Sequence, residues 1–281
     1  MIHLSYSELR DFKRCPYFYQ LKHVEKMKES KDRDKRSFVG DVLQKLVEQF
    51  YVEEWWRNPL TLDEVMRTRA LKLCRTYTDA GAIVWENDEL FKWQHIIGEA
   101  LPGIVETVKL EKLLTRRTYP EYEMTLVFPA LWPDGQDVTV HGRSDFIFDQ
   151  PAKSLTIVDG KGGATVGAYA DRDQLRLYAL AAERDPRFKR QPDRLGFWWY
   201  RHAQVVWIKN TAKAMAKFED VLKARIREVA AAVYPPKAAS HCRPCGLRLH
   251  CEVGMRYGVS KPATKGRPAL DLDGNFGIIG F

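Results

Sequence analysis

The chain has 281 residues, 45% of them apolar and 29% charged, which suits one large soluble domain or a core with an appended lobe. No apolar run approaches the roughly 18 residues that span a bilayer, and the opening MIHLSYSELRDF lacks the apolar core of a secretory signal, so a cytoplasmic protein is expected. Lys and Arg number 45 against 37 Asp and Glu, a net charge of +8 that favours a polyanionic partner; five cysteines in a reducing compartment argue against a disulfide framework.

Ser5 followed by Glu8 has capping-box spacing, so a short helix is predicted from there toward Cys15 and Pro16, with YFYQLKHVEK resuming helically. The charge run 29–36 reads as a solvated connection or a DNA-contacting loop. Val42, Leu43, Leu46, Val47 and Phe50 recur at helical spacing between Phe38 and Trp56. A second amphipathic stretch begins at Thr61, and a longer one covers 86–115 with an interruption expected near Pro102 and Gly103. The period then changes to two. Segments 121–130, 137–149 and 154–159 read as strands separated by PDGQ and QPAK turns. A helix over 172–184, strands RLGFWWYR and QVVWIKN, and a helix over 211–233 follow, and the last 30 residues read as irregular. The outline is α/β with mixed strand order.

In the strand over 137–149, alternation sends His141, Arg143 and Asp145 to one face; Asp159 and Lys161 share a face of the next strand. A short hairpin would bring Asp145 and Asp159 together beside Lys161. Two adjacent carboxylates repel unless a cation intervenes, and oxygen ligands with open positions suit Mg²⁺ or Mn²⁺. The bland alternative is a set of solvated turn residues. Gln174 and Tyr178, four apart on the next helix, share a face, although Tyr178 could simply be core.

Taken together, GRSD (142–145), IVDGKGG (157–163) and QLRLY (174–178) resemble the motifs of the RecB-like branch of the PD-(D/E)XK nuclease superfamily. The resemblance implies Asp145 and Asp159 as metal ligands, the Gly160 carbonyl completing the coordination, and Lys161 as the catalytic lysine. It implies Gln174 and Tyr178 as neighbours that position the lysine or the DNA backbone. These nucleases commonly carry G-x-x-x-H on an early helix, with the histidine as a further ligand. Here the segment is GDVLQ, so Gln44 stands in that place and could offer only an amide oxygen. Glu121 or Glu123 could also approach the site or remain a surface strand residue.

Cys242, Cys245 and Cys251 form C-x2-C-x5-C, and Cys15 is the natural fourth thiolate; zinc or iron–sulfur would suit such a set. Cys74 lies on an apolar helix face with Met66, Ala70 and Leu73 and reads as a buried spectator. SYSELRDFKRCPYFY paired with the late cysteines resembles the iron–sulfur members, the CRISPR-associated RecB-like and AddB-type nucleases. The resemblance implies a 4Fe-4S cluster on Cys15, Cys242, Cys245 and Cys251; the alternative is zinc with His241 or His250 replacing a cysteine. The aromatic run GFWWYRH could stack single-stranded bases, but its alternation fits a strand buried on both faces better.

The fold so implied is a mixed β-sheet core flanked by helices, with a helical lobe and an iron–sulfur region joining the two ends. The expected division of 1–281 is an iron–sulfur region at 1–37 and 234–255, a helical lobe at 38–118, a catalytic core at 119–233 and an irregular tail at 256–281. The expected function is a metal-dependent DNA nuclease, an exonuclease on single strands or ends with endonuclease activity left open. The rival is a nuclease-like DNA-binding or adaptor protein in recombination, repair or CRISPR adaptation, with little catalysis. DNA, and a helicase or recombination or CRISPR protein, are the expected partners, inside a bacterial, archaeal or virus-infected cell.

Overall fold

The computed structural model describes residues 1–29, 35–58, 60–79, 89–115, 117–151, 153–167 and 170–259. The first strand, β1 (Ile2–Ser5), runs straight into α1 (Tyr6–Arg14) through the capping box: the Ser5 hydroxyl accepts from the Glu8 backbone N–H, and the Glu8 carboxylate accepts from the Ser5 N–H. Pro16 opens α2 (Pro16–Tyr19), where its missing N–H deprives no helical bond, and a π turn over Gln20–Val24 continues it. Three long helices follow: α3 (Lys35–Val52), α4 (Leu62–Asp79) and α5 (Glu89–Leu110).

The sheet is built from β1, β2 (Arg117–Phe128), β3 (Val138–Gln150), β4 (Ser154–Lys161), β5 (Arg194–Trp199) and β6 (Gln204–Ile208). Helix α6 (Arg172–Arg184) separates β4 from β5; α7 (Ala212–Ala230) and α8 (Glu252–Val259) come after β6. The strand path is β1-β3-β4-β5-β6, with β2 along the other edge of β3. Strands β1 and β3 are parallel, as are β4 and β5; the other pairs are antiparallel. Because β2 lines nearly all of one edge of β3, β1 and β4 must share the opposite edge. β1 takes Val138 to His141 and β4 takes Phe146 to Gln150. The four residues between them, Gly142 to Asp145, face a gap in the sheet.

Each sheet face has its own core. One holds Leu9 and Phe12 of α1, Leu175 to Ala182 of α6, and Phe218, Leu222 and Ile226 of α7 against Leu126, Ile147, Ile157 and Phe197. The other holds Phe38 to Phe50 of α3, Met66 and Ala70 of α4, and Ile97 to Val108 of α5 against Phe146, Phe148, Val158 and Trp198. A small third cluster joins Cys15, Phe18 and Leu21 to Leu247. The result is the expected mixed α/β arrangement, a six-stranded sheet flanked by helices.

Three elements differ from the sequence reading. The strand β1 went unread, because four residues ahead of a strong helix cap show no usable period. Helix α5 runs unbroken through Pro102, since Ile97, Leu101, Ile104 and Val108 form one buried stripe that outweighs the missing bond. Residues 252–259, read as irregular, are helical, and the Met255 N–H bonds back to the Cys251 carbonyl at 2.8 Å. Residues Phe197 to Tyr200 are all buried, as the alternation of the aromatic run favoured, so the run is core and offers no stacking platform. Most of the 29–36 charge run and the tail from 260 onward lie outside the described residues. Among the described residues, no helix is long and apolar enough to cross a membrane.

Candidate active site and cysteine pocket

The β3–β4 register, Phe146 opposite Val158 and Ile147 opposite Ile157, sets Asp145 opposite Asp159 when continued by one step into the gap. There the Gly160 N–H donates to Asp145 Oδ2 at 2.6 Å, and the Lys161 ammonium pairs with Asp159 Oδ2. Asp159 is only 2% exposed. Burial pushes the pKa of both carboxylates up. At Asp145 the charge of Asp159 adds to the effect, and at Asp159 Lys161 opposes it. Lys161 Nζ sits 5.6 Å from the centre of the Phe197 ring on the neighbouring strand.

Tyr178 of α6 donates to the Arg143 carbonyl at 2.5 Å and accepts from Gln174 Nε2 at 2.7 Å. The one-turn spacing of Gln174 and Tyr178 therefore clamps the backbone of the GRSD segment from the helix side. Asp171, the N-cap of α6, accepts from the Tyr6 hydroxyl at 2.8 Å and adds negative charge beside Asp159.

On the other side, α3 brings Gln44. The helix can come this close because Gly40 and Gly162 touch backbone to backbone; a Cβ on Gly162 would lie 2.3 Å from the Gly40 Cα. Gln44 Nε2 donates to Glu121 Oε1 at 3.0 Å, and its oxygen accepts from the buried Tyr200 hydroxyl. A Cβ on Gly160 would collide with that hydroxyl, so the pair packs directly over Gly160. Burial first, then the two aspartates, raises the Tyr200 pKa and keeps it a donor.

Glu121 is the residue the sequence left ambiguous. It leaves the β2–β3 pairing for a single step, between Pro120 opposite Phe146 and Tyr122 opposite Ser144, so it stands opposite Asp145 with φ at +50° and no residue inserted. Non-glycine residues adopt that conformation at a cost. The Glu121 carboxylate meets Gln44 and Arg143 Nε, the latter 2.8 Å away. Tyr200, just past the end of β5, reads from sequence only as a core aromatic; its place over Gly160 went unread.

Two facing carboxylates match the oxygen donors that a hard divalent ion takes. Among the described residues, no three His, Cys, Asp or Glu side chains form a closed ligand set for one ion.

Cys15, Cys242, Cys245 and Cys251 line one pocket, together with Arg14, Lys237 and His241. Cys15 and Cys242 are buried; Cys245 and Cys251 are half-buried. The Lys237 N–H donates to Cys15 Sγ at 3.5 Å and the Gly254 N–H to Cys251 Sγ at 3.3 Å. Burial raises the Cys245 thiol pKa. The donor set suits a thiolate-held cluster, and the pocket, about 20 Å³ as it stands, would have to spread to admit one. Cys74 lies apart and 1% exposed, with its thiol pushed up to about 11 by burial.

A family model described as "PD-(D/E)XK nuclease superfamily" matches residues 3–252. No curated protein matches the chain. A solved structure titled "Crystal structure of SSO0001" is 13% identical, with 74% of this chain and 97% of that one covered and a TM-score of 0.34.

Proposed function

The chain belongs to the PD-(D/E)XK nuclease superfamily, whose members are usually metal-dependent nucleases using divalent ions such as Mg²⁺ or Mn²⁺, and from that premise we propose that it hydrolyses DNA phosphodiester bonds as one of the RecB-like, iron–sulfur branch. The observation that carries this reading is the facing pair Asp145 and Asp159 with Lys161 bonded beside them.

In this proposal Asp145, Asp159 and the Gly160 carbonyl hold the ion. When bound, it supplies Lewis acidity toward the scissile phosphate and neutralises charge that builds on the leaving oxygen. Lys161 would then exchange its Asp159 contact for the attacking water, its ammonium orienting that water and stabilising the negative charge that develops on it. Gln174 and Tyr178 hold the Arg143 carbonyl, and with it the backbone that carries Asp145. Gln44 serves as a positioning residue, because its oxygen already accepts from Tyr200 and its amide donates to Glu121. Cys15, Cys242, Cys245 and Cys251 carry a 4Fe-4S cluster with a structural role, inside a single nuclease unit acting on single strands or ends in the cytoplasm. A helicase or recombination protein would deliver the strand.

The test is cleavage of end-labelled single-stranded DNA by anaerobically purified protein in Mn²⁺, Mg²⁺ or EDTA, with Lys161→Ala and Asp145→Ala alongside. Metal-dependent cutting lost in both variants, with the fold kept, supports the reading; full activity in either variant sinks it.

The occupation of Gln44 favours a second reading, a DNA-binding adaptor with weak catalysis. It predicts that wild type binds but scarcely cuts DNA and that Gln44→His restores cutting. Robust wild-type cleavage would dismiss it.

A further inference from the structure

Helix α7 carries a charge where its apolar stripe should continue. Leu222, Ile226 and Val229 face the core, and Arg225, between them, is buried to 6% exposure. An arginine stays protonated in a protein; among the described residues no Arg225 nitrogen is a buried unpartnered atom, so the core covers its stem while the guanidinium reaches the surface, where an anion can meet it. Among the described residues Arg225 forms no ion pair and no hydrogen bond. Its charge is felt at the Tyr6 hydroxyl, which is itself committed to Asp171.

Arg225 lines a cleft of about 470 Å³ between α1–α2 and α7, inside the range of small-ligand pockets. Phe12 and Pro16 give the cleft an apolar wall. Lys13 and Lys237 add two exposed cations, and Glu228 is the one carboxylate, exposed to solvent. Lys13 pairs with Asp173 at 3.2 Å. With Asp173 counted against Lys13, three cations meet two carboxylates, and the planar guanidinium of Arg225 suits a phosphate oxyanion better than a cation or a neutral ligand.

We propose that this cleft is a phosphate-binding subsite anchored by Arg225, separate from the Asp145–Asp159 centre. Its natural occupant is a backbone phosphate of the strand under attack; that source, though not the site, rests on the nuclease reading. Arg225 acts electrostatically on Tyr6, whose hydroxyl bonds Asp171 beside Asp159. A strand held here would run along α1 before reaching the carboxylates, so Arg225 would set how the substrate enters.

The test uses the full chain in EDTA, with fluorescein-labelled 12-nucleotide oligo-dT followed by anisotropy at several salt concentrations, and inorganic phosphate followed by thermal shift. Arg225→Met should weaken oligonucleotide binding about tenfold, as expected for one lost charge-assisted contact. It should also lower the slope of log affinity against log salt by about 0.7, the value for one single-strand phosphate. Arg225→Lys should keep the slope and lose part of the affinity, because the charge remains without the fork. If Arg225→Met loses only the phosphate-induced thermal shift, the site holds and its occupant is a free phosphate compound. Unchanged affinity, slope and thermal shift in Arg225→Met would overturn the proposal. Should that variant not fold, the double variant Lys13→Met, Lys237→Met replaces it, and an unchanged slope and thermal shift there overturn it equally. A wild type that responds to phosphate and binds no oligonucleotide keeps this site and removes the nuclease reading. Normal cutting with indifferent Arg225 variants does the reverse.

Discussion

Lys161 is the residue at which charge and chemistry meet. Replacing it with Ala removes one preorganised cation, and cleavage is expected to fall by about 10²–10³ with secondary structure unchanged, measured by single-turnover kinetics and circular dichroism. The two aspartates have a stability signature of their own. Their folded pKa values lie above the ordinary carboxylate range, so without metal the native state holds more protons than the unfolded one. Stability is then fully present below the unfolded pKa and declines as pH rises through the raised values. Asp145→Asn should therefore melt higher than wild type in EDTA at pH 8, by about 2–4 °C for each kcal/mol relieved, with a smaller gain at pH 5. Adding Mn²⁺ should reverse the order, since only wild type keeps both ligands. Equal melting at the two pH values would refute this account. That Asp145 meets Asp159 beside Lys161, and that Gln174 and Tyr178 share a face, could be read from strand and helix periods; the roles assigned to them came from motif resemblance. The hold on Gln44 could not be read: Tyr200 lies 156 residues away, and the Glu121 conformation, φ +50°, is one no propensity announces. Arg225 did leave a signal, a charged residue interrupting an apolar helical stripe.

At the scale of elements, the contact between α3 and the end of β4 sets the depth of the site. The two glycines there are unequal. A methyl on Gly162 would sit 2.3 Å from the Gly40 Cα, whereas a methyl on Gly40 would meet nothing nearer than 3.8 Å, at the Gly162 Cα. Gly162→Ala should cost about 1–3 kcal/mol by forcing the helix off the strand, and should weaken cleavage by displacing Gln44. Gly40→Ala should be nearly neutral, helped by better helix propensity. Thermal unfolding of the pair checks this, and equal losses would remove the packing explanation. The helices and the central strands were legible from their periods. What escaped was either too short to show one, as in β1, or decided by tertiary burial, as in α5 through Pro102.

For the whole molecule, the cysteine pocket ties the chain near its start to residues beyond 240. A cluster held there would close a loop of more than 220 residues, and chain-entropy reasoning for cross-links puts the effect on the order of 4–5 kcal/mol. Cys15→Ala purified anaerobically should lose the visible absorption of the proposed cluster and become far more sensitive to limited proteolysis in residues 1–29. Unaltered protease resistance together with lost colour would mean that the cluster does not brace the fold.

The parallel pairing of β1 with β3 also has a kinetic consequence. Ile2 sits opposite Val138, so β1 must wait for a partner 136 residues further along the chain. Pairings of such long range close late, after the local β3–β4 hairpin has formed. In pulse-labelling hydrogen exchange during refolding, the amides of Ile2 to Ser5 should gain protection after those of Phe146 to Val158. Until then the sheet edge beside Gly142 to Asp145 lacks its β1 neighbour, and the carboxylates, already brought together by the hairpin, stand in an unfinished sheet.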